Sequence, residues 1–261
     1  MLEQERLIAR VRDLCAADDR LDAALMYGSF AAGTADAHSD LEFWLFFTRG
    51  DADPRAWCGE VAPLLHLVRN ESGAHVAVFP GLVRGEFHFA TTDDIAGVGT
   101  WPARGAPVER MLVVDRLGRL RPVLESLPEH PAPPSAEDVC GRFANWLLLA
   151  HHVAARGEHL RAWDALGHVH RHLLWMARLA HGSTTHWLTP SRHAEVDLPA
   201  GFPADLRLTT ASAEPAEVRR ALREAWRLGR TYWTDLTDRH GTAVPDALFA
   251  DLDRALPPDP T

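Results

Sequence analysis

One stretch of the sequence constrains the fold of this chain more than any other. It consists of Gly28-Ser29, then Ser39-Asp40-Leu41-Glu42, and then an apolar run over residues 43–47. If the run is a strand, Asp40 and Glu42 lie one residue apart and point to the same face. A short helix that opens at the Gly-Ser turn presents free backbone N–H groups, which suit the phosphates of a nucleotide. The two carboxylates suit the accompanying Mg²⁺. Together these parts predict a site for metal-dependent nucleotidyl transfer.

A second predicted strand, Leu82–Ala90, alternates between polar and apolar residues. Its polar face carries three side chains: Arg84, Glu86 and His88. We expect this strand to pair antiparallel with the strand that begins at Asp40, which would bring Glu86 against the other two carboxylates. The predicted metal ligands are therefore Asp40, Glu42 and Glu86.

The third carboxylate, Glu86, is predicted to act as the general base that accepts the proton of an attacking hydroxyl, with contact to metal as well. The alternative is a surface glutamate on an edge strand. Arg84 is predicted to bind the nucleotide by neutralising the departing pyrophosphate, and the alternative is a salt bridge to a neighbouring acid. His88 is a candidate wall of the substrate site, or an ordinary half-buried histidine.

Three further residues are predicted to bind the nucleotide. Ser29 would donate to the β- or γ-phosphate, and Gly28 would let the chain turn close to that phosphate. Ser39 either contributes to the same site or sets the register of Asp40 through a local turn bond, and the second interpretation is preferred.

The segment from Gly28 to Gly33 that leads to Ser39-Asp40-Leu41-Glu42 resembles the G-S-x-x-x-G…S-D-x-[DE] signature of the polymerase-β-like nucleotidyltransferase superfamily. Two stretches, 25–30 and 83–89, resemble the lincosamide nucleotidyltransferases, antibiotic-resistance enzymes that adenylylate a hydroxyl of lincomycin and clindamycin. That group also carries glutamate at the position of Glu42. The resemblance implies ATP as nucleotide donor, Mg²⁺ as cofactor, a lincosamide as acceptor and a homodimer as assembly.

The charged residues narrow the function classes. A formal net charge of −9 disfavours a protein that grips long nucleic acids. The chain contains no lysine, which excludes Walker-type ATPases, kinases and Schiff-base enzymes. Apolar runs well short of about 20 residues predict no membrane span, and the three cysteines are typical of reduced thiols in a cytoplasmic protein.

The predicted fold class is α+β, with a polymerase-β-like nucleotidyltransferase domain built on a mixed sheet, followed by a helical bundle. The first domain is predicted to span residues 1–125, with an amphipathic helix over Glu3–Ala17 and another helix near Trp57–Val68. A Pro-rich stretch, 126–134, cannot continue a helix or a central strand and is interpreted as a linker. The helical domain is predicted over 135–261 and includes a long helix from about Pro215 to His240.

Two other enzymes remain open at this stage. An aminoglycoside nucleotidyltransferase would need an acidic cleft for its polycationic substrate, which the net charge permits. A nucleotidyltransferase that modifies a protein or tRNA is the second alternative, which the helical domain and the segment from Arg84 to Phe89 disfavour. A protein that only senses nucleotide is disfavoured because Ser29, Asp40, Glu42 and Glu86 are all present.

Overall fold

A computed structural model describes residues 1–257, so the last four residues of the predicted helical domain lie outside the described residues. The chain divides into two compact units between Pro131 and Ala132. This division falls inside the predicted linker, although Leu127 is buried in the core of the first unit. The limits of the linker itself stay a prediction. In the described part of the chain, no helix is long and apolar enough to cross a membrane.

The first unit is built around a six-stranded sheet in the order β3-β4-β5-β2-β1-β6. Its strands are β1 (Leu21–Met26), β2 (Leu41–Phe47), β3 (His66–Arg69), β4 (His75–Phe79), β5 (Val83–Thr91) and β6 (Leu112–Asp115). Its helices are α1 (Glu3–Ala17), α2 (Gly28–Ala32), α3 (Pro54–Val61), α4 (Ile95–Val98), α5 (Val108–Met111) and α6 (Leu120–Ser126). Short 3-10 turns flank β5 at Pro80–Leu82 and Thr92–Asp94.

One face of this sheet is covered by apolar packing. Phe43 of β2 stacks on Phe87 of β5 with ring centroids 5.8 Å apart, and Trp57 of α3 meets Phe87 edge-on at 5.7 Å. Val11 of α1 belongs to the same buried core. Because side chains alternate along a strand, the residues between these aromatic rings point to the opposite face, where the predicted site residues lie.

The structure corrects two predictions about this unit. β2 and β5 pair in parallel, not antiparallel, because α3, β3 and β4 form a crossover long enough to return the chain in the same direction. The helix predicted from Trp57 to Val68 ends at Val61, since Ala62 precedes Pro63 and adopts an extended conformation. The strand β3 follows where the rest of that helix was expected.

The second unit is helical. Its elements are α7 (Ala136–Ala155), α8 (His159–His181), α9 (Ala194–Asp197), α10 (Phe202–Leu208), α11 (Pro215–His240) and α12 (Asp246–Ala255). Ser135 caps α7, because its hydroxyl accepts a hydrogen bond from the backbone N–H of Asp138 at 3.0 Å. Gly229 lets α11 approach α7, since a Cβ there would lie 2.1 Å from the Phe143 ring. The predicted α+β class, with a mixed sheet first and helices second, is confirmed.

Candidate active site

The parallel register of β2 and β5 places Glu42 directly beside Glu86. Asp40 stands just before β2, on the same face as Glu42. The three predicted carboxylates therefore come together on the uncovered face of the sheet, although the strand direction differs from the expected one. Their oxygens are the ligand type that hard divalent cations prefer.

Arg84 lies between two of these carboxylates. Its Nη1 donates to Asp40 Oδ2, and its Nη2 donates to Glu86 Oε2 at 2.9 Å. The guanidinium is 40% exposed, so solvent screens both pairs. The salt bridge that was left open as an alternative for Arg84 is therefore formed. This cation compensates the charge of Asp40 and Glu86 in the structure described.

Tyr27 is a site residue that the sequence analysis missed. Its hydroxyl donates to Glu86 Oε1 at 3.2 Å, and His88 Nε2 lies 3.5 Å from the same oxygen. Burial raises the pKa of the Tyr27 hydroxyl, and the charges of Glu86 and Glu42 add to that effect, so Tyr27 stays protonated and donates. The sequence contains a signal for this residue. Tyr27 directly precedes the Gly-Ser turn, and it lies two residues after Leu25, so both side chains point to the same face of the strand.

The Glu42 carboxyl lies in a partly buried and negatively charged environment. Burial raises the pKa of its carboxyl, with the charges of Asp40 and Glu86 acting in the same direction, while a hydrogen bond from the Ser29 backbone N–H opposes them. Because this environment disfavours the ionised form of Glu42, a bound cation would stabilise the three ionised carboxylates.

Glycine is required at position 28, the first residue of α2. Its φ of +72° lies in the left-handed region, and a Cβ at this position would stand 1.5 Å from Glu42 Oε2. A side chain would thus displace the Glu42 carboxylate. The sequence analysis expected a close approach of Gly28 to phosphate, and the described structure shows its close approach to Glu42.

Ser39 takes part in a local turn. Its Oγ donates to Asp36 Oδ1 at 3.1 Å and accepts from the Asp36 backbone N–H at 3.0 Å. This arrangement corresponds to the preferred interpretation, in which Ser39 fixes the chain that leads into Asp40. Its contribution to nucleotide binding stays a prediction.

His88 stacks on Trp44 with ring centroids 3.9 Å apart and planes 2° from parallel. Trp101 stands 6.0 Å from Trp44 and 6.2 Å from Tyr27, also measured between centroids. Burial lowers the pKa of the His88 imidazole, against the opposing charge of Glu86. Trp44 and His88 therefore form an aromatic wall on the same face as the carboxylates, two residues further along β2 and β5 than Glu42 and Glu86.

The residues present fit a divalent cation by donor chemistry, with one condition. Among residues 1–257, no group of three or more His, Cys, Asp or Glu side chains is spaced to hold a metal ion. The guanidinium of Arg84 donates to both Asp40 and Glu86 in this structure. Asp40, Glu42 and Glu86 would hold Mg²⁺ only if the ion displaced the Arg84 guanidinium.

Comparison with known proteins gives one family match. Residues 133–255 match the family described as "Lincosamide nucleotidyltransferase-like, C-terminal domain". This match confirms the resemblance predicted from the N-terminal motifs, through a different part of the chain. No curated protein matches the sequence.

Three solved structures match the chain at low sequence identity and low TM-score. An aminoglycoside 6-adenyltransferase from Bacillus subtilis has 12% identity and a TM-score of 0.44, covering 97% of this chain and 96% of that one. A nucleotidyltransferase-like protein from Exiguobacterium sibiricum has 12% identity and a TM-score of 0.38, covering 90% and 77%. A CCA-adding enzyme in complex with CTP has 11% identity and a TM-score of 0.34, covering 97% and 72%.

Proposed function

We propose that this chain, a nucleotidyltransferase whose residues 133–255 match the lincosamide nucleotidyltransferase-like C-terminal domain, transfers AMP from ATP to a hydroxyl of a lincosamide antibiotic. The transfer releases pyrophosphate and inactivates the drug. The observation that carries the proposal is the register of β2 and β5, which sets Glu86 beside Glu42 and next to Asp40. The homodimer and the cytoplasmic location that were expected stay predictions, and sedimentation of the purified chain tests the first.

The proposed mechanism assigns one task to each residue. The acceptor oxygen forms a bond to the α-phosphorus, the bond to pyrophosphate breaks, and Glu86 takes the hydroxyl proton. Tyr27 and His88 hold Glu86 in place from one side of its carboxylate. Asp40 and Glu42, with Glu86 in contact, would hold Mg²⁺, which when bound would offset the charge that develops on the phosphates.

The nucleotide is held by groups at the other edge of the carboxylate cluster. Ser29 and the turn at Gly28 bind the β- and γ-phosphates in this proposal, and Ser39 shapes the loop that precedes Asp40. The Arg84 guanidinium first leaves Asp40 and Glu86, and it then binds the departing pyrophosphate. The guanidinium thereby moves from two carboxylates to a phosphate, which offers the same fork of acceptor oxygens.

Glu86→Gln tests the reaction and its base together. We expect incubation of the parent chain with MgATP and clindamycin or lincomycin to give a drug–AMP adduct, detected by mass spectrometry. The amide of Gln keeps the shape of Glu86 and cannot take the proton, so kcat should fall by about 10²- to 10⁴-fold.

The matched control is Glu60→Gln, since the Glu60 side chain is exposed and its carboxylate lies 3.8 Å from Arg10 Nη2, in a long ion pair far from the proposed chemistry. It should leave the rate unchanged. Kanamycin in parallel separates the aminoglycoside alternative, because an adduct with kanamycin alone would contradict the lincosamide acceptor. Adduct formation by Glu86→Gln at the parent rate would reject Glu86 as the base.

Arg84→Gln tests the exchange between guanidinium and metal. Removing the cation that compensates Asp40 and Glu86 should tighten Mn²⁺ binding in the absence of nucleotide by about tenfold, or about 1.4 kcal/mol, because those carboxylates lose their competing partner. The same change should weaken ATP binding. Electron paramagnetic resonance of free Mn²⁺ measures the first effect and calorimetry the second.

Arg20→Gln serves as the control for this experiment, because Arg20 pairs with Asp18 in the same unit and is exposed. It should leave Mn²⁺ binding unaltered. Unchanged or weaker Mn²⁺ binding by Arg84→Gln would show that Arg84 does not compete with the metal.

A further inference from the structure

A cavity of about 620 Å³ opens beside the carboxylate cluster within the first unit. Its aromatic wall consists of Trp44, His88 and Trp101, and its polar rim includes Arg69, Asp93 and Asp94. His88 belongs to both places, since it lines the cavity and its Nε2 lies 3.5 Å from Glu86 Oε1. The cavity therefore begins one side chain away from the group assigned as general base.

The order of the strands fixes the side from which an acceptor enters. Gly28 and Ser29 follow β1 and meet Glu42 from the β1 side of β2. Glu86 lies on the opposite side of Glu42, on β5. Nucleotidyl transfer is an in-line displacement, so a nucleophile arrives opposite the departing pyrophosphate. If the phosphates bind at Ser29, the acceptor comes from the β5 side.

The cavity lies on that side. Residues 88–90 of β5 form part of its lining, and Ser72 and Gly73 of the turn between β3 and β4 form another part. Gly97 and Val98 of α4 are also among its lining residues.

The lining also defines the chemistry of the ligand. Asp94 Oδ2 already accepts hydrogen bonds from the backbone N–H and hydroxyl of Thr91, at 2.8 and 2.9 Å. Asp93 is exposed and makes no hydrogen bond or ion pair with another described residue. The lining also contains one guanidinium, that of Arg69, whose Nε donates to the Gly73 carbonyl at 3.3 Å.

We propose that this cavity holds the acceptor, and that the acceptor is a hydroxylated small molecule with an apolar part and one amine cation. The tryptophans contact the apolar part, and Asp93 pairs with the amine. A polycation fits this lining less well, because Arg69 offsets one of the two carboxylates. The inference rests on the proposed function, and it places the substrate in a site formed by the first unit alone.

Gly97→Phe tests the cavity directly. Gly97 lines the cavity, and a Cβ at this helical position would meet no atom of the described residues within 4 Å, so the backbone accepts the change. The phenyl ring then fills space that the acceptor needs. Gly59→Phe is the matched control, since Gly59 is also helical and exposed, has the same open surroundings within the described chain, and lies outside the cavity.

Calorimetry with clindamycin, in the presence of Mg²⁺ and a non-hydrolysable α,β-methylene analogue of ATP, measures acceptor binding without turnover. We expect Gly97→Phe to raise the Kd of clindamycin at least tenfold and Asp93→Lys to raise it about fivefold. Neither variant should alter the affinity for the nucleotide analogue. Gly59→Phe should bind clindamycin as the parent does.

Two outcomes overturn this inference: clindamycin binds Gly97→Phe as tightly as the parent, or it does not bind the parent. The proposed function is judged separately, by the drug–AMP adduct. An adduct made by the parent together with unchanged binding to Gly97→Phe keeps the function and rejects the cavity. Binding that depends on Gly97 without any adduct keeps the cavity and rejects the reaction.

Discussion

Asp40→Asn is expected to lower kcat/KM by about 10³-fold, equivalent to about 4 kcal/mol of transition-state stabilisation. The amide keeps the shape of the carboxylate and removes its charge. In the proposed reaction Asp40 holds a metal ion whose charge offsets that of the phosphates, and a neutral ligand holds a divalent cation far less well. The change also frees Arg84 from one of its two partners.

Folding should be nearly unaffected by this substitution. The ion pair between Asp40 and Arg84 is partly exposed on both sides, and such pairs contribute about 0 to 1 kcal/mol. The melting temperature should therefore stay within about 4 °C of the parent value. Asp13→Asn, at an exposed position of α1, is the control and should keep full activity. Substantial activity in Asp40→Asn would refute the metal assignment.

Arg178→Met is expected to destabilise the second unit by about 3 to 5 kcal/mol. Arg178 of α8 is 0% exposed, and its guanidinium binds the segment that follows the helix. It donates to the carbonyls of Pro190 at 2.8 Å and Ser183 at 3.0 Å, and to Asp197 Oδ2 at 3.1 Å. A methionine fills similar space and leaves these acceptors without their donor.

The effect is measured by urea unfolding and by hydrogen exchange of residues 183–197, because local loss of the guanidinium should open that segment first. Arg171→Met is the control, since Arg171 lies on the same helix and is exposed. It should unfold at nearly the parent urea concentration. Arg178→Met with parent stability and parent exchange rates would show that the buried guanidinium does not organise this segment.

Helices with a long periodic pattern of apolar residues could be predicted from the sequence. The apolar spacing of α1 and the long periodic pattern of α11 gave the helix limits Glu3–Ala17 and Pro215–His240 that the structure has. The end of α3 was predicted wrongly, at Val68 instead of Val61, although Pro63 disfavours helix at Ala62. The short edge strands β3 and β6 were missed because four residues carry too little periodicity to distinguish a strand from a loop.

Strand direction and long-range contacts were not readable in this way. Alternation predicted that Arg84, Glu86 and His88 share a face, and that depends on β5 alone. The bridge from Arg84 to Asp40 depends on the parallel register of two strands separated by a crossover, which no local pattern encodes. The contact of Tyr27 with Glu86 likewise needs β1, β2 and β5 side by side.

Label transfer from ATP tests the central claim of nucleotidyl transfer most directly. The parent chain is incubated with Mg²⁺, clindamycin and ATP labelled at either the α- or the γ-phosphorus. The account predicts that the drug acquires the α label and that the γ label leaves as pyrophosphate, with both results absent in Asp40→Asn. A drug that acquires the γ label, or neither label, would contradict nucleotidyl transfer to a lincosamide by this site.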